Sequence, residues 1–175
     1  MAGAQTVELV LDTRLDAAVR SGWTRLQAHG LPSLADHPHP TNRPHVTVAT
    51  CAADTPVDWQ RVAEAVSSLP VPVRLDRLHV FTGRRPVLVW LVRPDSVLEQ
   101  LHLRVWRALG EASVRNPLYA PQRWVPHVSL ARGAHLGIGA ATAALGTTGP
   151  LAGTAVAARR YDGRTRTVHT LAPSR

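Results

Sequence analysis

Two almost identical hexapeptides stand 82 residues apart in this chain of 175 residues. Residues 44–49 read Pro-His-Val-Thr-Val-Ala, and residues 126–131 read Pro-His-Val-Ser-Leu-Ala. The separation is close to half the chain. Each copy follows a long proline-containing loop and has an arginine shortly before it, Arg43 or Arg123. Any fold of this chain must hold both copies, and each copy specifies a strand with two unlike faces. Residues i and i+2 of a strand share a face, so His45 and Thr47 point one way while Val46 and Val48 point the other. His127 and Ser129 oppose Val128 and Leu130 in the same manner. Side by side, two such strands would line one cleft with two imidazoles and two hydroxyls and give their aliphatic faces to the core.

That set of groups suits attack on a cyclic phosphodiester. The reaction needs a base to activate the attacking oxygen and an acid to protonate the departing one. Histidine can take either part near neutral pH. Hydroxyls can donate to non-bridging phosphate oxygens and hold the group for in-line attack. This chemistry requires no metal and no cofactor, and the carboxylates of a two-metal nuclease are missing beside both motifs.

Composition narrows the alternatives. Hydrophobic residues make up 45% of the chain, which argues against wholesale disorder. No apolar run approaches the roughly 18–20 residues of a membrane span. Met1–Gln5 leads to Glu8 and Asp12 rather than to a basic stretch and an apolar one, so no signal peptide is read. A single cysteine, Cys51, allows no internal disulfide, and a reducing cytoplasm is the expected location. All 20 cations are arginine and the net charge is +8. The absence of lysine excludes a P-loop lysine, a Schiff base and a lysyl-AMP intermediate. Codon bias in a GC-rich genome accounts for most of the deficit. The arginines still suit a phosphate-bearing partner such as RNA or a nucleotide.

Periodicity and stop signals divide the chain into elements. Strands are expected at Gln5–Leu11, His45–Ala52, Val71–Phe81 with a break at Leu78, Pro86–Arg93, His127–Arg132, Leu151–Arg160 and Thr165–Leu171. The last two are joined by a turn at Asp162-Gly163. Helices are expected from Asp12 or Thr13 to Gly30, from Thr55 to about Ser68, from Pro94-Asp95 to Gly110, and over Ala134–Leu145. Residues 31–44 and 111–126 read as loops, the first without regular structure because of its four prolines. Trp23, Trp90 and Trp106 read as core. Phe81 and Trp124 border motifs and are placed between packing and base stacking.

The paired motifs, their spacing and the segment Arg-Trp-Val-Pro-His-Val-Ser-Leu-Ala-Arg (123–132) resemble the 2H phosphoesterase superfamily and its 2′-5′ RNA ligase branch. The stretch from Leu78-His79-Val80-Phe81 through Val87–Trp90 to Leu101-His102 is similar to that branch too, so the resemblance covers most of the chain. It implies one domain over residues 1–175: a bilobal α+β fold with two pseudo-symmetric antiparallel sheets, flanked by helices, around a central cleft. It implies a metal-independent phosphodiesterase acting on 2′,3′-cyclic phosphates of RNA or nucleotides, or on 2′-5′ linkages, without ATP or an obligate protein partner. His45 and His127 would be the acid/base pair, with Thr47 and Ser129 as phosphate-binding hydroxyls. Arg132 matches a substrate-contacting position, and Arg43 is a second candidate. The chain departs from the branch around its first motif, at Thr41-Asn42-Arg43-Pro44 and Cys51-Ala52-Ala53.

Three alternatives remain at this level: a phosphodiesterase for small molecules such as ADP-ribose cyclic phosphate or another cyclic nucleotide, a non-catalytic RNA-binding module, and a metal-dependent nuclease. His37-Pro38-His39 makes a weak metal site and reads rather as a loop beside the cleft. His29, His79, His102, His135 and His169 carry no pattern and read as structural. Cys51 shares the His45/Thr47 face if the strand continues. Arg159-Arg160-Tyr161 and Arg164-Thr165-Arg166 flank the terminal turn and read as a solvated hairpin, with an RNA-facing rim as the alternative.

Overall fold

The computed structural model describes residues 3–111, 116–134, 136–146 and 150–172; His135 lies outside them. Strand β1 (Ala4–Leu11) leads into helix α1 (Thr13–Ala28), a 3₁₀ turn (Leu34–Asp36), β2 (His45–Ala52), α2 (Trp59–Ala65) and β3 (Val71–Phe81). The same series then recurs: β4 (Val87–Val92), α3 (Ser96–Leu109), a 3₁₀ turn (Pro117–Tyr119), β5 (His127–Arg132), α4 (Ile138–Leu145) and β6 (Leu151–Asp162). Strand β7 (Thr167–Ala172) has no counterpart. The hexapeptide repeat is thus the visible trace of a repeat of the whole half-chain.

Local signals set most boundaries. Asp12 caps α1 by accepting the Leu15 N–H at 2.8 Å, and Asp95 caps α3 through Leu98 at 2.9 Å. Gly110 stops α3 with φ +55°, a conformation that glycine adopts without a Cβ penalty. Helix α4 begins at Gly137, which has no side chain to cap it, and is shorter than the expected 134–145. The 31–44 loop holds one 3₁₀ turn, capped by Ser33, in place of the fully irregular segment expected there. Helix α1 buries Leu15, Val19, Trp23 and Leu26, and α3 buries Leu98, Leu101, Val105 and Leu109. Trp90 joins Trp23 in the core, but Trp106 is only half-buried, because it lies at the edge of the α3 inner face.

Every strand pairing is antiparallel, in the order β1-β2-β5-β4-β3-β6-β7. Strand β1 also pairs with β6, so the first six strands close on themselves. The two expected sheets are β2-β1-β6-β7 and β5-β4-β3, and hydrogen bonds join them into one. They meet at β2/β5 and along β3/β6, where Val71–Leu75 pair with Leu151–Ala155. The anticipated break in β3 is a register shift between Leu75 and Leu78.

The halves exchange elements. Strand β3 of the first half pairs with β4 of the second, and β6 of the second pairs with β1 of the first. Helix α1 packs on β5 and β6, and α3 packs on β2 and β3. One buried cluster accordingly draws on both halves. Among the described residues, no helix is long and apolar enough to cross a membrane.

Candidate active site

The two motif strands touch at one backbone bridge, Val46 to Val128. Antiparallel order then sets His45 across from Ser129, and Thr47 across from His127. Both valines are buried, while the four polar residues are half-exposed, so the imidazoles and hydroxyls share the open face. Beyond the bridge the strands splay, and indoles satisfy the carbonyls that lose a ladder partner. Trp23 Nε1 donates to the Ser129 carbonyl at 3.1 Å, and Trp124 Nε1 donates to the Thr47 carbonyl at 3.0 Å. Trp124 also stacks on His102, with ring centroids 4.1 Å apart, which assigns it to packing rather than to base stacking. Trp124→Phe keeps the stack and strands the carbonyl. It is expected to cost about 1–3 kcal/mol in a denaturant titration.

A bulge lies beside each motif. The β1/β2 register shifts between Val7 and Glu8, leaving Val48 as the extra residue. The β4/β5 register shifts between Leu88 and Val89, leaving Leu130 as the extra one. The first bulge corrects the reading of Cys51. It reverses the alternation after Thr47, so Ala49 and Cys51 turn to the core with Val7. There burial pushes the thiol up, with Arg160 opposing. Cys51 has no place in the cleft.

Both histidines are oriented in the same way. His45 Nδ1 lies 2.6 Å from the Arg43 carbonyl, and His127 Nδ1 lies 2.7 Å from the Val125 carbonyl. A carbonyl only accepts, so each Nδ1 carries a hydrogen and each Nε2 is left for chemistry. Arg43 therefore enters the site through its backbone, since its guanidinium is held by Asp16 at 3.2 Å. Arg132 is exposed and lines the cleft with His45 and Ser129, and Arg123 is exposed outside the lining. His127 packs edge-on against Phe81, centroids 4.9 Å apart. Burial lowers the His127 pKa, and His45, Arg132 and His79 add to the effect against the Val125 carbonyl.

The cavity in front of His45 is about 360 Å³, within the range of small-ligand sites. Three of its groups were not assigned to the site from the sequence: Glu8, and Arg159 and Tyr161, which read as a solvated hairpin with an RNA-facing rim as the alternative. Glu8 lies on the floor, 4% exposed, with Oε1 3.6 Å from His45 Nε2. Arg159 binds its other oxygen at 2.8 Å, and Tyr161 stands beside Arg159 on β6. Outside the cavity lining, Tyr119 lies near Thr47, and burial raises its phenol pKa. A signal existed for Tyr161: Tyr161-Asp162-Gly163-Arg164 repeats Phe81-Thr82-Gly83-Arg84, an aromatic-x-Gly-Arg pair with Phe81 packed on His127 and Tyr161 lining the cavity of His45. Nothing marked Tyr119, which ends the short 3₁₀ turn Pro117–Tyr119 in a segment read as a loop.

His37 and His39 line the same cavity, and His39 Nδ1 sits 2.7 Å from the Thr41 hydroxyl. Among the described residues, no group of three or more His, Cys, Asp or Glu side chains is placed to hold a metal.

Comparison with known proteins bears on the fold and the family. No curated protein sequence matches the chain. Its fold is similar to that of the crystal structure of E. coli LigT in apo form, at 17% identity, covering 99% of this chain and 98% of that one, with a TM-score of 0.60. LigT complexed with 3′-AMP gives 17% identity, full coverage of both chains and a TM-score of 0.54. Kluyveromyces marxianus Usb1 gives 14% identity, 97% coverage of each chain and a TM-score of 0.55. The family model of the 2′-5′ RNA ligase superfamily matches residues 14–156, a span that contains both motifs. The chain belongs to the 2′-5′ RNA ligase superfamily of 2H phosphoesterases.

Proposed function

We propose that this protein is a metal-independent phosphodiesterase acting on 2′,3′-cyclic phosphate ends of RNA or nucleotides by two-histidine acid/base catalysis. The observation that carries the reading is the β2/β5 seam. It sets two imidazoles, each held by a backbone carbonyl at Nδ1 rather than Nε2, and two hydroxyls on one open face. Thr47 and Ser129 would hold the non-bridging oxygens while Arg132 offsets their charge. One imidazole takes a proton from the attacking water and the other protonates the departing ribose oxygen. Run backwards, with a ribose 5′-hydroxyl in place of water, the same groups serve ATP-independent 2′-5′ ligation. The ligands in the structures of its relatives, 3′-AMP with LigT and uridine monophosphate with Usb1, support a nucleotide-bearing substrate. The cytoplasm is the proposed location.

Phosphorus NMR of 2′,3′-cyclic nucleotides and of a short RNA ending in a cyclic phosphate, with EDTA present, tests the reading. One phosphomonoester product is expected, with a bell-shaped dependence of rate on pH. No turnover of either substrate, or turnover abolished by the chelator, contradicts it.

A further inference from the structure

The twofold repeat is broken at one position next to the chemistry. Glu8 pairs with Thr47 directly after the β1/β2 register shift. Val89 pairs with Ser129 directly after the β4/β5 shift. The two residues are therefore equivalents, and both are buried. One copy places a carboxylate beside its histidine, and the other places an isopropyl group there.

We propose that Glu8 is a positioning residue that separates the tasks of the two histidines: it holds a proton on His45, which makes His45 the donor to the departing oxygen and leaves His127 as the base. The inference rests on the phosphodiesterase reading and deepens it.

The surroundings of His45 are otherwise cationic or neutral. Arg159 and Tyr161 face it from β6, and His37 and His39 from the preceding loop. Arg132 and His127 stand on β5, and Arg166 on the β6–β7 turn. Glu8 is the one carboxylate among the described cavity residues. Arg159 and the Thr6 hydroxyl hold it in place, with Oε1 turned to His45. At 3.6 Å the carboxylate is near enough to favour a charged ring and too far to occupy Nε2 with a short hydrogen bond. His127 faces the opposite conditions: Phe81 packs on it, and burial, with Arg132 and His79 nearby, favours its neutral form.

In hydrolysis, a water oxygen bonds to phosphorus as its proton passes to His127 Nε2. The bond from phosphorus to the ribose oxygen breaks as that oxygen takes the proton from His45 Nε2. One water is consumed. His127 then releases a proton to solvent and His45 regains one.

Two measurements test this. The first is the pH profile of kcat/KM on a cyclic phosphate substrate. Glu8→Gln keeps the shape of the side chain and is expected to move the alkaline limb down by about one pH unit, leaving the acid limb in place. Glu8→Asp is expected to restore most of the limb, and Arg159→Gln to move it the other way. The second is nitrogen-15 NMR of the histidine rings, which needs no substrate. In the wild type His45 is expected to carry protons on both nitrogens at a pH where His127 carries one, and Glu8→Gln is expected to narrow the difference by moving His45 alone, since burial acts on His127 in either protein. Rings that titrate together in the wild type, or an alkaline limb that Glu8→Gln leaves unmoved, overturn the assignment. A protein that shows the NMR difference but cleaves no cyclic phosphate overturns the substrate reading and leaves the role of Glu8 standing.

Discussion

Replacing His127 by alanine is expected to slow cleavage of a 2′,3′-cyclic phosphate by about 10²- to 10⁴-fold, and His45→Ala by a similar factor. Neither ring has a substitute at hand. His79 is the imidazole nearest in kind to His127, but it packs against the far partner Phe81, whose ring separates the two. His37 and His39 line the cavity with His45, yet His39 is tied to Thr41 and neither lies on the strand that faces Ser129. The two replacements act on one event, so the double variant is expected to be little slower than the slower single one. Stability should hardly change, because both rings are half-exposed and their Nδ1 partners are backbone carbonyls near solvent. Initial rates beside unfolding midpoints separate the two effects. A single variant within a few-fold of the wild-type rate would rule out two-histidine catalysis.

Asp12→Ala is expected to be the most destabilising replacement of a polar residue outside the site, at about 2–4 kcal/mol. Its carboxylate does two jobs. One oxygen caps α1 through Leu15, and the other accepts the Thr154 N–H and hydroxyl on β6. Loss of the cap frays the helix that carries Trp23, and loss of the second contact leaves a Thr154 donor unpaired where the halves cross. Burial opposes ionisation of Asp12, but hydrogen bonds from Leu15, Thr154 and Arg14 outweigh it and hold the carboxyl below its ordinary range. A depressed carboxyl stabilises the fold above its unfolded value, and that contribution fades as pH falls through the folded one. Stability of the wild type should therefore drop in acid more steeply than that of Asp12→Ala, as chemical denaturation at pH 7 and pH 3 would show. Equal losses at both pH values would sink the argument.

The parts of this fold legible in the chain were those with a strict period. Thr47 and Ser129 could be set on the faces of His45 and His127 because the strand period is two and the motif is short. Cys51 could not, because a bulge at Val48 leaves no mark in a run of small and β-branched residues. The helix starts at Asp12 or Thr13 and at Pro94-Asp95 were readable from residue type, and the capping side chains are Asp12 and Asp95. The closure of β1 on β6 was not, since it depends on which of many compatible strands meet at long range. Glu8 shows the same limit at the site. Its polarity in β1 fits the outward face of any half-exposed strand, and only the fold reveals that this face looks into a cleft. Tyr119 comes near Thr47 from a three-residue 3₁₀ turn, too short to show a period. Arg43 was attractive for its charge, yet its use is decided by Asp16, a helix residue 27 positions earlier.

The exchange of strands and helices between halves has a consequence for ancestry. Each half pairs and packs with the other as one subunit would with a second, so two separate copies of such a half-chain could assemble the same ring. A symmetric dimer of that kind must carry the same side chain at both positions beside its histidines: two carboxylates or two valines. Its imidazoles would be interchangeable, each spending part of its time in the wrong protonation state. A single polypeptide is under no such obligation, and Glu8 opposite Thr47 with Val89 opposite Ser129 is an inequality that only one chain can carry.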